Sequence, residues 1–130
     1  MFDNESGAME VEGPDMPAQG YEIDQNGTVL TCRFLAREVT HTDMQDAIEA
    51  CMDRARNDNA QNFVFDLAEV DYVASACIGV LVTFLQDIEP MRGRMAMANC
   101  RENVLFLFKV TQLDGVFHDF DDVEEAVESF

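Results

Sequence analysis

Residues 62–90, NFVFDLAEVDYVASACIGVLVTFLQDIEP, constrain the fold of this chain more than any other segment. Residues 63–67 form a short aromatic and β-branched run, which is typical of a strand that is buried on both faces of a sheet. After a polar turn, small residues lead into the apolar residues 76–88, which predict a buried helix that ends before Pro90. A buried strand followed by a buried helix indicates an α/β fold.

The preceding part of the chain predicts a hairpin and one helix. Residues 21–34 read as two strands joined at Asn26-Gly27, a pair that tolerates positive φ and closes hairpins. Thr42, with Gln45 three residues later, predicts a capping box at the start of the helix. The inward stripe of the hairpin's second strand is expected to be Leu30, Cys32 and Phe34, and that of the helix Met44, Ala47, Ile48, Cys51, Met52 and Ala55.

Further segments continue the alternation of strands and helices. Residues 94–98 predict a strand, and residues 116–120 predict a short one. Residues 102–110 fit a strand or a helix, because the run VLFLF is ambiguous by periodicity. Residues 121–130 predict a last helix, whose inward positions are Val123, Ala126 and Val127.

This alternation predicts a single α/β domain over residues 20–130, with a mixed sheet of four or five strands and about four helices. A chain of 130 residues is suited to one domain. Residues 1–19 contain five acids, no bases and two of the three prolines, without any periodicity. That composition predicts a flexible acidic N-terminal tail.

The charge balance limits the kinds of partner. Twenty-six acids against eight bases give a net charge of −18, which repels nucleic-acid phosphates and anionic lipids. A protein partner with a basic face is favoured instead. No apolar run approaches the roughly 20 residues that span a bilayer, and the first residues lack the basic and apolar regions of a secretory signal. We therefore predict a cytoplasmic protein with no membrane insertion.

The metal-binding and redox-active residue types are dispersed. Cys32, Cys51, Cys77 and Cys100 are widely spaced, and each lies in or beside a predicted core element. Reduced cysteine in such places behaves as a small hydrophobic residue. Neither histidine has a neighbouring cysteine or histidine at ligand spacing, so we predict no disulfide, no metal site and no cofactor.

Ser75 lies between the predicted central strand and the buried helix, where two interpretations are compatible. Its oxygen would be a good N-cap for an unpaired N–H of the first helical turn. A phosphate on the same hydroxyl would be favoured by those N–H groups and by the positive end of the helix dipole. No nucleophile elbow surrounds Ser75 and no glycine-rich phosphate loop occurs, so we predict that the protein is not an enzyme.

The run FVFDLAEVDYVASACIGVLVTFLQ resembles the core of the STAS domain of bacterial anti-sigma factor antagonists. In that family, a strand and an aspartate-serine-serine (or threonine)-glycine-leucine-glycine turn lead into a helix. The later run LFKVTQLDGVFHDFDDVEEAVESF is similar to the family's ending, so the resemblance covers residues 21–130. Ile78 and Gly79 match the turn, whereas Ala74, Ala76 and Cys77 stand where the family has aspartate, the second hydroxyl residue and the first glycine.

The resemblance implies regulation by partner switching. In the family, a serine-kinase-type anti-sigma factor phosphorylates the serine at the position of Ser75. The unphosphorylated antagonist binds that kinase and frees its target, and a phosphatase reverses the block. Ser75 is thus the expected phosphorylation site, and the expected partner-binding residues are Thr40, Thr42, Asp43, Ala74, Ala76, Cys77 and Ile78.

Two alternatives stay open. A non-switching STAS scaffold could serve a signalling or lipid-transport assembly, and a small-molecule binding module would need an apolar pocket. If residues 102–110 form a helix, then Val104, Leu107 and Phe108 fill its inward stripe, and Leu105 and Phe106 point elsewhere. An exposed apolar pair would then mark a second interface, for a homodimer or for docking in a larger assembly.

Overall fold

In the computed structural model, which describes residues 20–130, strands and helices alternate after an initial hairpin. The strands are β1 (Tyr21–Asn26), β2 (Val29–Phe34), β3 (Glu38–Val39), β4 (Asn62–Asp66), β5 (Tyr72–Val73), β6 (Arg94–Ala98) and β7 (Asp119–Phe120). The helices are α1 (His41–Asp58), α2 (Ala76–Ile88), α3 (Glu102–Val110) and α4 (Val123–Glu128), and a 3₁₀ helix (Glu89–Met91) follows α2. The predicted acidic tail lies outside the described residues.

A five-stranded mixed sheet in the order β1-β2-β4-β6-β7 confirms the predicted fold class. β1 is antiparallel to β2, and Asn26 pairs with Val29 around a loop that begins at Gly27, where φ is 63°. β2, β4, β6 and β7 are parallel neighbours. Parallel neighbours require long crossover connections, and α1, α2 and α3 lie in those connections.

Helix α1 buries the predicted apolar stripe except for Met52, which is half-buried, and the predicted cap at Thr42 is wrong. Thr40 is the N-cap: its hydroxyl accepts a hydrogen bond from the Asp43 N–H at 3.2 Å, and the Asp43 carboxylate accepts one from the Thr40 N–H at 3.0 Å. Thr40 has the extended backbone that this reciprocal box requires. At the other end, Asn59 takes the left-handed conformation, with φ 58°, and the helix stops there.

The sheet is covered on both faces, which explains why β4 is apolar throughout. Phe63 and Phe65 enter a large core beneath α1, α2 and α3, whereas Val64 points to a smaller cluster that includes Ala126 of α4. The Phe84 ring of α2 meets the rings of Phe63 and Phe65 edge-on, with centroids 4.9 Å and 5.8 Å away. The alternation predicted for β2 is confirmed, since the large core contains Leu30, Cys32 and Phe34.

One ambiguous segment and one predicted strand near the C-terminus are decided by the structure. Residues 102–110 form helix α3, with Val104 and Phe108 buried. The predicted strand 116–120 is mostly wrong, because only Asp119–Phe120 pairs with β6. The N–H of Phe117 donates to the Leu113 carbonyl at 2.9 Å in a turn, and the buried Phe117 ring packs on Phe108 at 5.3 Å. An apolar run therefore fills the core here without extending the sheet.

Candidate functional site

The connections that follow β2, β4 and β6 share one end of the sheet, because these strands are parallel. There, β3 and β5 form a separate parallel pair, with Val39 opposite Val73. The Ala74 N–H donates to the Val39 carbonyl at 3.0 Å, and the Cys77 thiol donates to the same oxygen at 3.5 Å. The loop that leads into α1 is thus tied to the loop that leads into α2.

Ser75 immediately precedes α2 and is exposed, but its predicted capping hydrogen bond is absent. Its backbone is helical (φ −60°, ψ −28°), unlike the extended backbone of Thr40 (φ −88°, ψ 171°). An N-cap side chain needs the extended conformation to reach the first-turn N–H groups. Those of Cys77 and Ile78 donate instead to the carbonyls of Ala74 and Ser75, at 2.9 Å and 3.1 Å. The Ser75 hydroxyl is therefore not held by the helix start.

Two backbone N–H groups next to this hydroxyl have no hydrogen-bond acceptor in the described part of the chain. Within the described part of the chain, neither Ser75 nor Ala76 donates its N–H to a protein acceptor. These groups lie at the positive end of α2, a helix of 13 residues. An anion attached at Ser75 would meet unpaired N–H groups and a favourable dipole.

Cys77, two residues after Ser75, is buried and is not an acid–base group at neutral pH. Burial raises the pKa of the Cys77 thiol to about 11, and the negative charge of Asp43 adds to this rise. The thiol is thus neutral, and it serves as a weak donor to the loop that precedes α1.

The remaining residues predicted to bind a partner surround Ser75 to different degrees. Ala76, Thr40, Thr42 and Asp43 are exposed, while Ala74 and Ile78 are half-buried. Thr83, further along α2, is exposed as well. Its distance along the chain from the helix start, rather than burial, separates it from this surface.

A charged cluster that the sequence analysis missed joins the three loops at this end. Asp71 forms ion pairs with Arg37 and Arg101, each at 2.8 Å. The Arg37 hydrogen bond lowers the pKa of the Asp71 carboxyl, and the charge of Arg101 adds to this effect. Arg101 also donates to the Ala68 carbonyl at 3.0 Å. No periodic pattern links residues so far apart in the chain, so the sequence carried no signal for this cluster.

A buried carboxylate supports the same end from below. Asp66, at the end of β4, accepts hydrogen bonds from the Ala68 N–H at 3.1 Å and from the Asn99 side-chain amide at 3.0 Å. These bonds connect the loop after β4 with the loop after β6. The backbone that presents Ser75 is therefore anchored to its neighbours by polar contacts as well as by the core.

Leu105 and Phe106 are 39% and 66% exposed on α3, as predicted for a helix with Val104 and Phe108 inward. Their role as a second interface stays a prediction.

We expect Leu105→Lys with Phe106→Glu to change the melting temperature little, because surface substitutions usually cost within about 0.5 kcal/mol. The same change should dissociate any dimer detected by light scattering. A loss of several kcal/mol would instead assign both side chains to a core.

Residues 20–130 contain no group of three or more histidine, cysteine or acidic side chains placed to hold a metal ion. None of the helices in this part of the chain is long and apolar enough to cross a membrane.

A sequence model of the STAS domain matches residues 22–126, which is more than half of the chain. The chain belongs to the STAS domain family. The family resemblance predicted for residues 21–130 is thereby confirmed, and the matched residues include every strand of the sheet except Tyr21, the first residue of β1.

Solved structures agree with this assignment at the level of the fold. The chain is similar to the anti-sigma factor antagonist SpoIIAA in its unphosphorylated form, with a TM-score of 0.72 and 15% identity over 84% of this chain and 94% of that chain. It is similar to the Bacillus cell fate determinant SpoIIAA in the phosphorylated form, with a TM-score of 0.65 and 14% identity over 84% and 97%. An anti-sigma-factor antagonist (STAS) domain protein from Planctomyces limnophilus has a TM-score of 0.70 and 18% identity over 84% and 95%.

Proposed function

We propose that this STAS domain protein is an anti-sigma factor antagonist-like regulator of the cytoplasm that acts by partner switching. In its unphosphorylated form it binds a serine-kinase-type anti-sigma factor and frees the target of that factor. Phosphorylation of Ser75 by the kinase ends the binding, and a phosphatase restores it. The protein is a binding regulator and not an enzyme.

The observation that carries this proposal is the uncommitted, exposed hydroxyl of Ser75 at the start of α2. A kinase needs a hydroxyl that is exposed and that is free of a capping hydrogen bond, and the Ser75 hydroxyl meets both conditions. The tie between Ala74 and Val39 brings the Thr40–Asp43 turn beside it. A partner that contacts Ser75 would therefore also contact the exposed Thr40, Thr42 and Asp43.

Charge explains how one modification would act as a switch. A phosphate adds about −1.5 to −2 charges at neutral pH. The N–H groups of Ser75 and Ala76 favour that charge in the free protein, but a docked partner would have to remove it from water. Ala74 and Ala76 carry no charge of their own, so the modification would dominate the local potential. Binding would then fall sharply on phosphorylation.

The similarity to SpoIIAA supports the proposal, because structures of that protein in unphosphorylated and phosphorylated forms share this fold. At 15% and 14% identity the likeness is one of fold. The transfer of the switch to this chain rests on the position and exposure of Ser75.

We expect Ser75→Asp to weaken binding to the cognate kinase by at least about tenfold, which corresponds to about 1.4 kcal/mol. Ser75→Ala should bind as the unmodified protein does, because it removes a hydroxyl that makes no capping bond. Isothermal titration calorimetry measures both. Thr28→Asp is the charge-matched control, since Thr28 is exposed in the hairpin loop at the opposite end of the sheet.

Intact mass and peptide mapping after incubation with the kinase and ATP test the modification itself. One added phosphate should map to Ser75 and should be absent from Ser75→Ala. Phosphate on a different residue would refute the assignment of the site. Equal binding by Ser75→Asp and Ser75→Ala would favour the non-switching scaffold.

A further inference from the structure

A groove of about 480 Å³ lies between α1 and α2, beside but distinct from the Ser75 surface. Helix α1 lines one side of the groove with residues that include Ile48 and Glu49. Helix α2 lines the other side with residues between Ala76 and Asp87. Of the residues predicted to bind the kinase around Ser75, only Ala76 lines this groove. The groove is therefore a second surface, and the partner-switching proposal does not say what binds there.

The groove has an apolar floor and open space beside one glycine of α2. Ile48 and Phe84 are buried at its base, and Val80 is half-buried. Gly79 lines the groove beside open space, since a Cβ added there would meet no atom within 4 Å. Glycine inside a helix costs up to about 1 kcal/mol relative to alanine, so the open position at Gly79 lowers the stability of α2.

The rim of the groove is acidic on both sides. Glu49 lies on the α1 wall and Asp87 on the α2 wall. Neither carboxylate has an ion-pair partner within residues 20–130, and no lysine or arginine lines the groove. An occupant with cationic side chains beside an apolar stripe would match both the rim and the floor.

The length of the groove suits one short helix. The α2 wall from Ala76 to Asp87 extends about 16 Å at 1.5 Å per residue, which is about three helical turns. Two packed helices present a furrow into which the side-chain ridges of a third helix can fit. We propose that this groove binds a basic amphipathic helix of a protein partner.

The probe for the test is a synthetic helix-forming peptide of about 14 residues, with leucine at i, i+3, i+4 and i+7 and lysine elsewhere. Fluorescence anisotropy at physiological salt measures its binding to the full chain. A scrambled peptide of the same composition controls for charge alone. Because the peptide is synthetic and Ser75 stays unmodified, the result is independent of the partner-switching proposal.

Gly79→Leu is the decisive variant. It adds a large side chain to the groove at a helical position with free space around it, so it should keep the protein folded while weakening peptide binding by at least about tenfold. Gly79→Ala, which adds one methyl group, should weaken binding less. Unchanged peptide binding by a folded Gly79→Leu protein would overturn the proposal.

A second pair of variants separates the rim from the general acidity of the surface. Glu49→Gln with Asp87→Asn should weaken peptide binding more than the charge-matched pair Asp114→Asn and Asp121→Asn, whose exposed carboxylates line none of the described cavities. Equal weakening by both pairs, or equal binding of the scrambled peptide, would show non-specific attraction and would refute the groove as the site.

Discussion

Replacing Phe84 with alanine is expected to lower the free energy of unfolding by about 3–5 kcal/mol. Phe84 is 1% exposed and forms edge-on contacts with Phe63 and Phe65, so its removal opens a cavity between α2 and the central strand. Domains of this kind are stable by only about 5–15 kcal/mol. Urea denaturation followed by far-UV circular dichroism measures the loss, and an unchanged slope would show that the two-state transition is intact.

Phe106→Ala is the matched control for this prediction. The same side chain is removed, but Phe106 is two-thirds exposed on α3, so the change should stay within about 0.5 kcal/mol. A similar loss for both variants would contradict the assignment of Phe106 to the outer face of α3. A small loss at Phe84 would contradict the packing of α2 on the sheet.

Gly93→Ala is expected to lower the free energy of unfolding by about 1–3 kcal/mol, although it adds only one methyl group. A Cβ at Gly93 would lie 2.6 Å from the Gln61 carbonyl oxygen and 2.9 Å from the Ile88 Cβ. The Gly93 N–H also donates to the Ile88 carbonyl at 2.8 Å, which holds the turn before β6 against the end of α2. The Gln61 oxygen belongs to the backbone just before β4, so it cannot move away without disturbing the sheet. Thermal and urea unfolding both measure this effect.

Gly79→Ala should have the opposite sign. Gly79 lies inside α2 with no atom within 4 Å of the added Cβ, so alanine should raise the free energy of unfolding by up to about 1 kcal/mol. Destabilisation by both substitutions would show that the added methyl group at Gly79 clashes with neighbouring atoms. If Gly93→Ala leaves the free energy of unfolding unchanged, then the turn before β6 moves to accommodate the methyl group. The short distance to the Gln61 oxygen would then not destabilise the protein.

Much of the architecture followed from local patterns. The apolar stripe of α1, the bounds of α2 at residues 76–88 and those of β6 at residues 94–98 agree with the structure. Periodicity was reliable there because each segment is long enough to repeat its pattern, or is bounded by a clear turn residue. It failed for residues 116–120, where apolar side chains enter the core from a turn.

The candidate site was only partly accessible to this reasoning. The position of Ser75 before a helix was clear, yet its role as a hydrogen-bonding cap was wrong. The side chain of an N-cap needs an extended backbone, and the backbone of Ser75 is helical. The cap of α1 was predicted at Thr42 instead of Thr40 for the same reason. Both threonines have a suitable side chain, and the backbone conformation determines that Thr40 is the N-cap.

The amino-acid pattern alone established the α/β class, the two-sided burial of β4 and the place of Ser75 at the start of a buried helix. These features depend on side-chain periodicity and on residue types that are close together in the chain. The ion pairs of Asp71 with Arg37 and Arg101, the free hydroxyl of Ser75 and the groove at Gly79 depend on the folded structure. They arise because parallel strands bring distant loops to one end of the sheet and place α1 beside α2, and no local pattern encodes those distances.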